Sequence, residues 1–379
     1  MRLYQRVMLH YKHHETETIM TAAEIERQEH RYRQERTVWD RCADTYEQQI
    51  VRGHPDVTAY ESFEHSVMER MALFLTRDCG TDLAVYDFGC GSGRIHRLLA
   101  PFLPASKAAA DNNGGVSDQC RGVVQHVGGV DFSENMITLA LKNLEDAGMK
   151  HLHPVYLSYD VGSAFDVPPY TGDALPLAVS VCNSIGVMQG PEGAAKLFES
   201  MGRYVREQKG IALISCYCRE AVAGYALGNY ESTMDVCGQP AWLKPDTWAR
   251  EGYTLVPRYY KRAYDTSPEI TVDVFDTNGI CIQRGVVLMR DEAKVRTTVE
   301  TGKITTCTEY QSNWYGTGQV KQWMHEYWGD GTLWHIPGAA LDRLRGEPAQ
   351  LAVVDFSGRF TRLAQRWGIE PLTGGDETT

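Results

Sequence analysis

The sequence predicts an α/β fold carrying an antiparallel β-rich insert, on three observations. At 83–102 an apolar run leads into an acid, three glycines at every second position, and an amphipathic run, which reads as strand, tight turn and helix. Strand-like and helix-like runs then alternate to about residue 231, as successive parallel units do. From there to about 315 short runs of β-branched and aromatic residues take over, before the alternation resumes.

Residues 1–14 hold Arg2, Arg6 and Lys12 and no acid, a trait shared with transit peptides, but the stretch is short and lacks serine. Residues 21–52 contain neither Gly nor Pro. Thr21 with Glu24 fits a capping box, and Val38, Trp39, Cys42, Ala43 and Tyr46 form one apolar stripe. A second helix over about 58–77 turns Phe63, Val67, Met71, Leu73 and Phe74 inward. The turn that follows is Asp87-Phe88-Gly89-Cys90-Gly91-Ser92-Gly93-Arg94. Glycine suits a backbone that must bend sharply and approach a ligand closely. The dinucleotide fingerprint fails here in both registers, because its third glycine position falls on Arg94 or on His96.

Residues 104–125 have the composition of a surface loop. Val127-Gly128-Gly129-Val130-Asp131-Phe132 reads as a second strand ending in an acid, where nucleotide-binding units place a carboxylate for the ribose. The usual spacing to that acid is recovered once the 104–125 loop is set aside. A helix at 134–147 leads to a third strand at 155–159, ending at Asp160-Val161. The apolar run 177–182 fits a central parallel strand and stops at Asn183, read either as a turn-fixing residue or as a ligand contact. A helix at 192–207 and a strand at 211–215 end at Cys216-Tyr217. In the insert the β runs are 270–274, 280–283, 286–289, 295–299 and 304–310, with a hairpin signal at Thr277-Asn278-Gly279. A helix at 318–328 and strands at 333–336 and 351–356 complete the sheet, and the tail after Gly368 reads as disordered.

The formal charge of −11 and the absence of any long basic run disfavour a nucleic-acid partner; Lys261-Arg262 and Arg343/Arg345 are small clusters. The ten cysteines contain no C-x-x-C pair and no zinc-ligand spacing, so no metal is expected and a reducing, cytoplasmic setting is the simplest. No apolar run reaches membrane-spanning length.

The motif D-x-G-x-G-x-G at 87–93, followed by Asp131-Phe132-Ser133-x-x-Met136, resembles the class I S-adenosylmethionine-dependent methyltransferases. The string Trp39-Asp40-x-x-Ala43-x-x-Tyr46 resembles their leader helix. The resemblance implies a Rossmann-like, seven-stranded mixed sheet whose last two strands are adjacent and one of them antiparallel. It implies S-adenosyl-L-methionine as cofactor, with Tyr46 closing over it. Asp87, Gly89, Cys90, Gly91 and Gly93 would meet the methionine part, and Asp131, Phe132 and Met136 the ribose end. Asp160 and Val161 would meet the adenine, with Asp166 as a competitor, and Asn183 would lie at the crevice.

The insert is similar in place to that of small-molecule enzymes such as glycine N-methyltransferase, where it covers the substrate. The expected division is 1–78 N-terminal helices, 79–231 with 316–365 as core, 232–315 as substrate subdomain and 366–379 as tail. His335 reads as the candidate base or as a satisfied strand histidine, and Tyr217 as a candidate for orienting the acceptor; Arg258, Lys261 and Arg262 would hold a substrate carboxylate or line an exposed strand face. The expected activity is methyl transfer to a small polar or aromatic metabolite, such as an amino acid or a phenol. The alternatives are a methyltransferase acting on RNA or protein, and an inactive methyltransferase-like binding protein.

Overall fold

A computed structural model of the chain describes residues 36, 39, 40, 43, 55–104, 122–218, 254–262, 268–275, 281–288, 295–297, 304–306, 315–337 and 349–372, with the backbone path alone for 55–60 and for the strands between 254 and 306. Helix α1 (Pro55–Leu73) runs through one π-helical turn at Phe74–Asp78 into strand β1 (Leu83–Phe88). The glycine turn leads to α2 (Arg94–Leu99), and the chain then forms β2 (Val124–Asp131), α3 (Glu134–Asp146), β3 (Asp160–Val161) and β4 (Leu175–Ser180). Helix α4 (Gly190–Arg206) and β5 (Ile211–Tyr217) follow.

Five strands of the insert are described: β6 (Thr254–Arg262), β7 (Pro268–Phe275), β8 (Cys281–Leu288), β9 (Val295–Thr297) and β10 (Ile304–Thr306). The chain closes with α5 (Thr317–Trp328), β11 (Thr332–Pro337), β12 (Ala349–Asp355) and α6 (Phe360–Arg366).

The main sheet has seven strands in the order β11-β12-β5-β4-β1-β2-β3. Only β12 runs against its neighbours, pairing antiparallel with both β5 and β11. This is the α/β, mixed seven-stranded architecture expected of a class I methyltransferase fold. Its central strands are buried on both faces, which explains their continuous apolar runs. Phe63, Met71, Val85, Leu99 and Leu177 fill one face of the sheet, while Phe88, Ala178, Phe198, Ile214 and Trp328 fill the other. Trp328 of α5 lies against Gly202 of α4 and donates its indole N–H to the Phe198 carbonyl at 2.7 Å.

In the insert β6, β7 and β8 form an antiparallel sheet, and β9 pairs with β10. A parallel bridge between Cys218 and Tyr315 joins the point where the chain leaves the core to the point where it returns.

Four expectations need correction. The third strand does not occupy 155–159: a turn at Pro154 leaves Val155 68% exposed, Leu157 makes a single bridge to Val127, and pairing proper covers only Asp160 and Val161. The runs at 280–283 and 286–289 belong to one strand, β8. Leu73 is only half-buried, while Met68, Ala72 and Leu75 are core residues. The segment after Gly368 begins ordered, because Ile369 is buried and the Leu372 N–H donates to the Leu333 carbonyl at 2.8 Å.

Candidate functional site

The carboxyl ends of β1 and β4, with β2 beside them, meet at the glycine turn, the place where open α/β sheets bind ligands. Gly89, Gly91 and Gly93 have φ of 87°, 49° and 74°, a left-handed backbone that other L-residues rarely adopt. The turn is pinned from two sides. The Gly89 and Cys90 N–H groups donate to the Val130 carbonyl at 2.9 and 3.0 Å, and Ser180 Oγ donates to the Phe88 carbonyl at 2.9 Å. A Cβ on Gly89 would lie 2.7 Å from Met188 Cε, and one on Gly93 would lie 2.6 Å from Tyr159 Oη.

Two acids meet this turn. Asp87 is 1% exposed, and its Oδ1 is buried without a hydrogen-bond partner. Burial pushes its carboxyl up to about 8; Arg94 pulls it down, while Asp131 and Glu64 add to the rise. Asp131 accepts the Gly91 N–H at Oδ2 and the Ser133 N–H at Oδ1, each at 2.9 Å. Burial raises it to about 6 against the pull of these N–H bonds. The two sequence signals are therefore bonded directly to each other, and carboxylate lone pairs remain for a ligand.

The leader helix arrives at the same place. Asp40 Oδ1 accepts from Ser133 Oγ at 2.6 Å, and its carbonyl accepts from Asn135 Nδ2 at 2.8 Å. Ser133 in turn caps α3 by accepting the Met136 N–H at 3.1 Å. Ala43 and Met136 are buried together, and Met136 Cε would lie 3.5 Å from a Cβ on Gly91. Phe132, next to Asp131, is half-buried. Tyr46 lies outside the described residues, as do Trp242, Trp248 and Tyr310 of the insert. The side chains of Arg258, Lys261 and Arg262 do too.

A charged cluster behind the turn escaped the sequence reading. Arg94 Nη1 lies 3.2 Å from Glu61 Oε1, with both side chains largely shielded. Glu64, 2% exposed, accepts the Cys182 N–H at 2.6 Å. The available signal was a pair of acids at i and i+3 flanking Phe63 on a helix otherwise read by its apolar stripe.

The remaining candidates divide. Asp160 is exposed and accepts the Tyr86 hydroxyl at 3.2 Å, beside an exposed Val161; Asp166 is exposed on the loop that follows. Asn183 has φ of 54° and is buried, and its Oδ1 accepts the Tyr217 N–H at 3.0 Å, so it ties the ends of β4 and β5 together. Tyr217 is half-buried at the end of β5. Burial pushes the Cys90 thiol up, away from the reactive thiolate.

His335 is not brought to the turn. Its strand is at the sheet edge, four strand spacings or about 19 Å from β1. Gln350 Nε2 donates to the Tyr315 carbonyl at 2.7 Å, which leaves Oε1 to accept from His335 Nε2 at 2.8 Å. The buried histidine serves that network.

No protein-family model matches the chain, and no curated protein matches it. Several similar solved structures are named as methyltransferases. The CcbJ methyltransferase from Streptomyces caelestis is 14% identical over 85% of this chain and 98% of its own, with a TM-score of 0.45. An S-adenosylmethionine-dependent methyltransferase from Clostridium acetobutylicum is 11% identical over 84% and 99%, with a TM-score of 0.41. CalS10, an amino pentose methyltransferase from Micromonospora echinaspora, is 13% identical over 91% and 100%, with a TM-score of 0.36.

Proposed function

We propose that the chain is a methyltransferase that binds S-adenosyl-L-methionine at the glycine turn and methylates a small polar or aromatic metabolite, such as an amino acid or a phenol. The observation that carries this is the pairing of the Gly91–Asp131 bond with the buried, unpartnered Oδ1 of Asp87. Two carboxylates flanking a concave backbone suit a ligand with an ammonium and a sulfonium group. A cationic ligand would draw Asp87 into its charged form, whereas a pyrophosphate would gain nothing from either acid, which disfavours a dinucleotide beyond the failed fingerprint.

Bound there, S-adenosylmethionine supplies a methyl group open to in-line displacement. Asp87 holds the ammonium end, the Gly89–Gly93 backbone admits the methionine part without a clash, and Asp131 takes the ribose hydroxyls. Asp160 and Val161 receive the adenine, and the leader helix, latched through Asp40, closes over the ribose end. Tyr217 faces the acceptor side of the crevice. Holding acceptor and methyl group in register can contribute about 7–11 kcal/mol. No residue is assigned as general base.

The insert, with its strands β6 to β10, is proposed to cover the acceptor, and the core is proposed to comprise 79–231 and 316–365. The acidic net charge supports a small acceptor over a nucleic acid. The scattered cysteines support a reducing, cytoplasmic setting, and no helix among the described residues is long and apolar enough to cross a membrane.

The test is calorimetry with S-adenosylhomocysteine, followed by a metabolite screen with an isotopically labelled methyl donor. Asp131→Ala should weaken binding at least about tenfold, the worth of a hydrogen bond to a charged group. A loss under about threefold removes the ribose assignment, and no labelled small molecule removes the acceptor class.

A further inference from the structure

Two adjacent glycines in a strand interior weaken it, since neither packs a side chain and both add backbone freedom. Gly128 and Gly129 hold such a place in β2. A Cβ on Gly128 would lie 2.8 Å from Cδ2 and 2.9 Å from Cε2 of Tyr86. One on Gly129 would lie 2.7 Å from Cε1 of His96. Successive strand residues face opposite sides, so one ring lies across each face of β2.

Both rings reach the segment beyond. Tyr86 Oη donates to Asp160 Oδ2 at 3.2 Å. His96 Nε2 lies 3.0 Å from the Ser158 carbonyl oxygen, and its ring stacks on Tyr159 at 4.1 Å. Backbone bonds hold the path of that segment, among them the Ser158 N–H to the Val127 carbonyl at 3.0 Å and the Gly162 N–H to the Asp131 carbonyl at 2.9 Å. Both residues of β3 are exposed, however, so the Asp160 side chain is left to the Tyr86 contact.

We infer that Tyr86 is a positioning residue for the adenine end of the cofactor: its ring crosses β2 over Gly128, and its hydroxyl fixes the Asp160 carboxylate. The inference rests on the reading above, in which Asp160 receives the adenine; a carboxylate can only accept hydrogen bonds, so the group it would meet there is the 6-amino group, the ring's donor. Tyr204 and Phe88 back the ring at centroid distances of 5.3 and 5.4 Å, so the hydroxyl reaches Asp160 with little freedom left. One carboxylate oxygen accepts the hydroxyl's hydrogen bond, and that contact orients the other.

The experiment compares two ligands by calorimetry: S-adenosylhomocysteine and its analogue with hydrogen in place of the 6-amino group. Tyr86→Phe keeps the ring and removes the donor. It should weaken S-adenosylhomocysteine about tenfold and the analogue by less than about twofold. Gly128→Ala, which displaces the ring, should repeat the pattern, and in an Asp160→Ala background Tyr86→Phe should add nothing. Equal weakening of both ligands, no weakening of either, or an undiminished effect in the Asp160→Ala background overturns the positioning role and leaves the cofactor reading standing. A wild-type protein that binds neither ligand overturns both.

Discussion

Asp87 sits at the end of β1 with its carboxyl pushed up to about 8 by burial, so the ligand-free protein holds a proton there at pH 7. The unfolded chain releases that proton near 3.8. The group therefore favours the folded state fully below about pH 4, and this contribution is lost as the pH rises through 8. Asp87→Asn abolishes the ionisation, so between pH 6 and 8 the thermal midpoint of the ligand-free variant should fall less than that of the wild type. A cationic ligand needs the carboxylate, so binding should tighten by up to about tenfold per unit as pH rises toward 8. Calorimetry in two buffers of different ionisation enthalpy should register a proton released on binding. A pH-independent affinity between 6 and 8 would remove the ammonium assignment from Asp87. Asp87 and Asp131 were legible in the sequence because spacing around glycines announces them. The bond from the Gly91 N–H to Asp131 was not, since it joins residues 40 positions apart.

At the scale of the element, the turn after β4 shows what local pattern misses. Cys182 and Asn183 are consecutive non-glycine residues at φ of 57° and 54°, a strain of roughly 1–3 kcal/mol each. Glu64 of α1 holds the Cys182 N–H, and Asn183 holds the N–H of Tyr217. Glu64→Ala leaves a buried donor unmet and should lower unfolding free energy by about 1–3 kcal/mol in urea titration. An unchanged midpoint would mean that water takes the place of the carboxylate. Apolar periodicity revealed α1 as a helix, but not that its acids would stabilise a turn 118 residues away. The same blindness explains β3. The apolar run at 155–159 had a strand's composition, yet Pro154 turns the chain, and the pairing that exists begins where the acids do.

For the whole molecule, alternation of runs was enough to give the α/β class, the strand inventory of the main sheet and the place of the insert. It could not give strand order, which puts His335 on the edge strand β11, where its ring meets Gln350. His335→Gln should lower thermal stability while leaving turnover within about twofold; a turnover loss above about a hundredfold at unchanged stability would return the residue to the chemistry. The position of β12 has a further effect. Both of its neighbours, β5 and β11, have completed their span before residue 349 is made, and β11 has no other partner in the sheet. One flank of the molecule must therefore wait, during synthesis, with Trp334 and Leu213 unsheltered until the closing strand slides between them. A stall or a nick before residue 355 should for that reason yield an aggregating species rather than a slightly shortened protein, and chaperone dependence should be concentrated before that point.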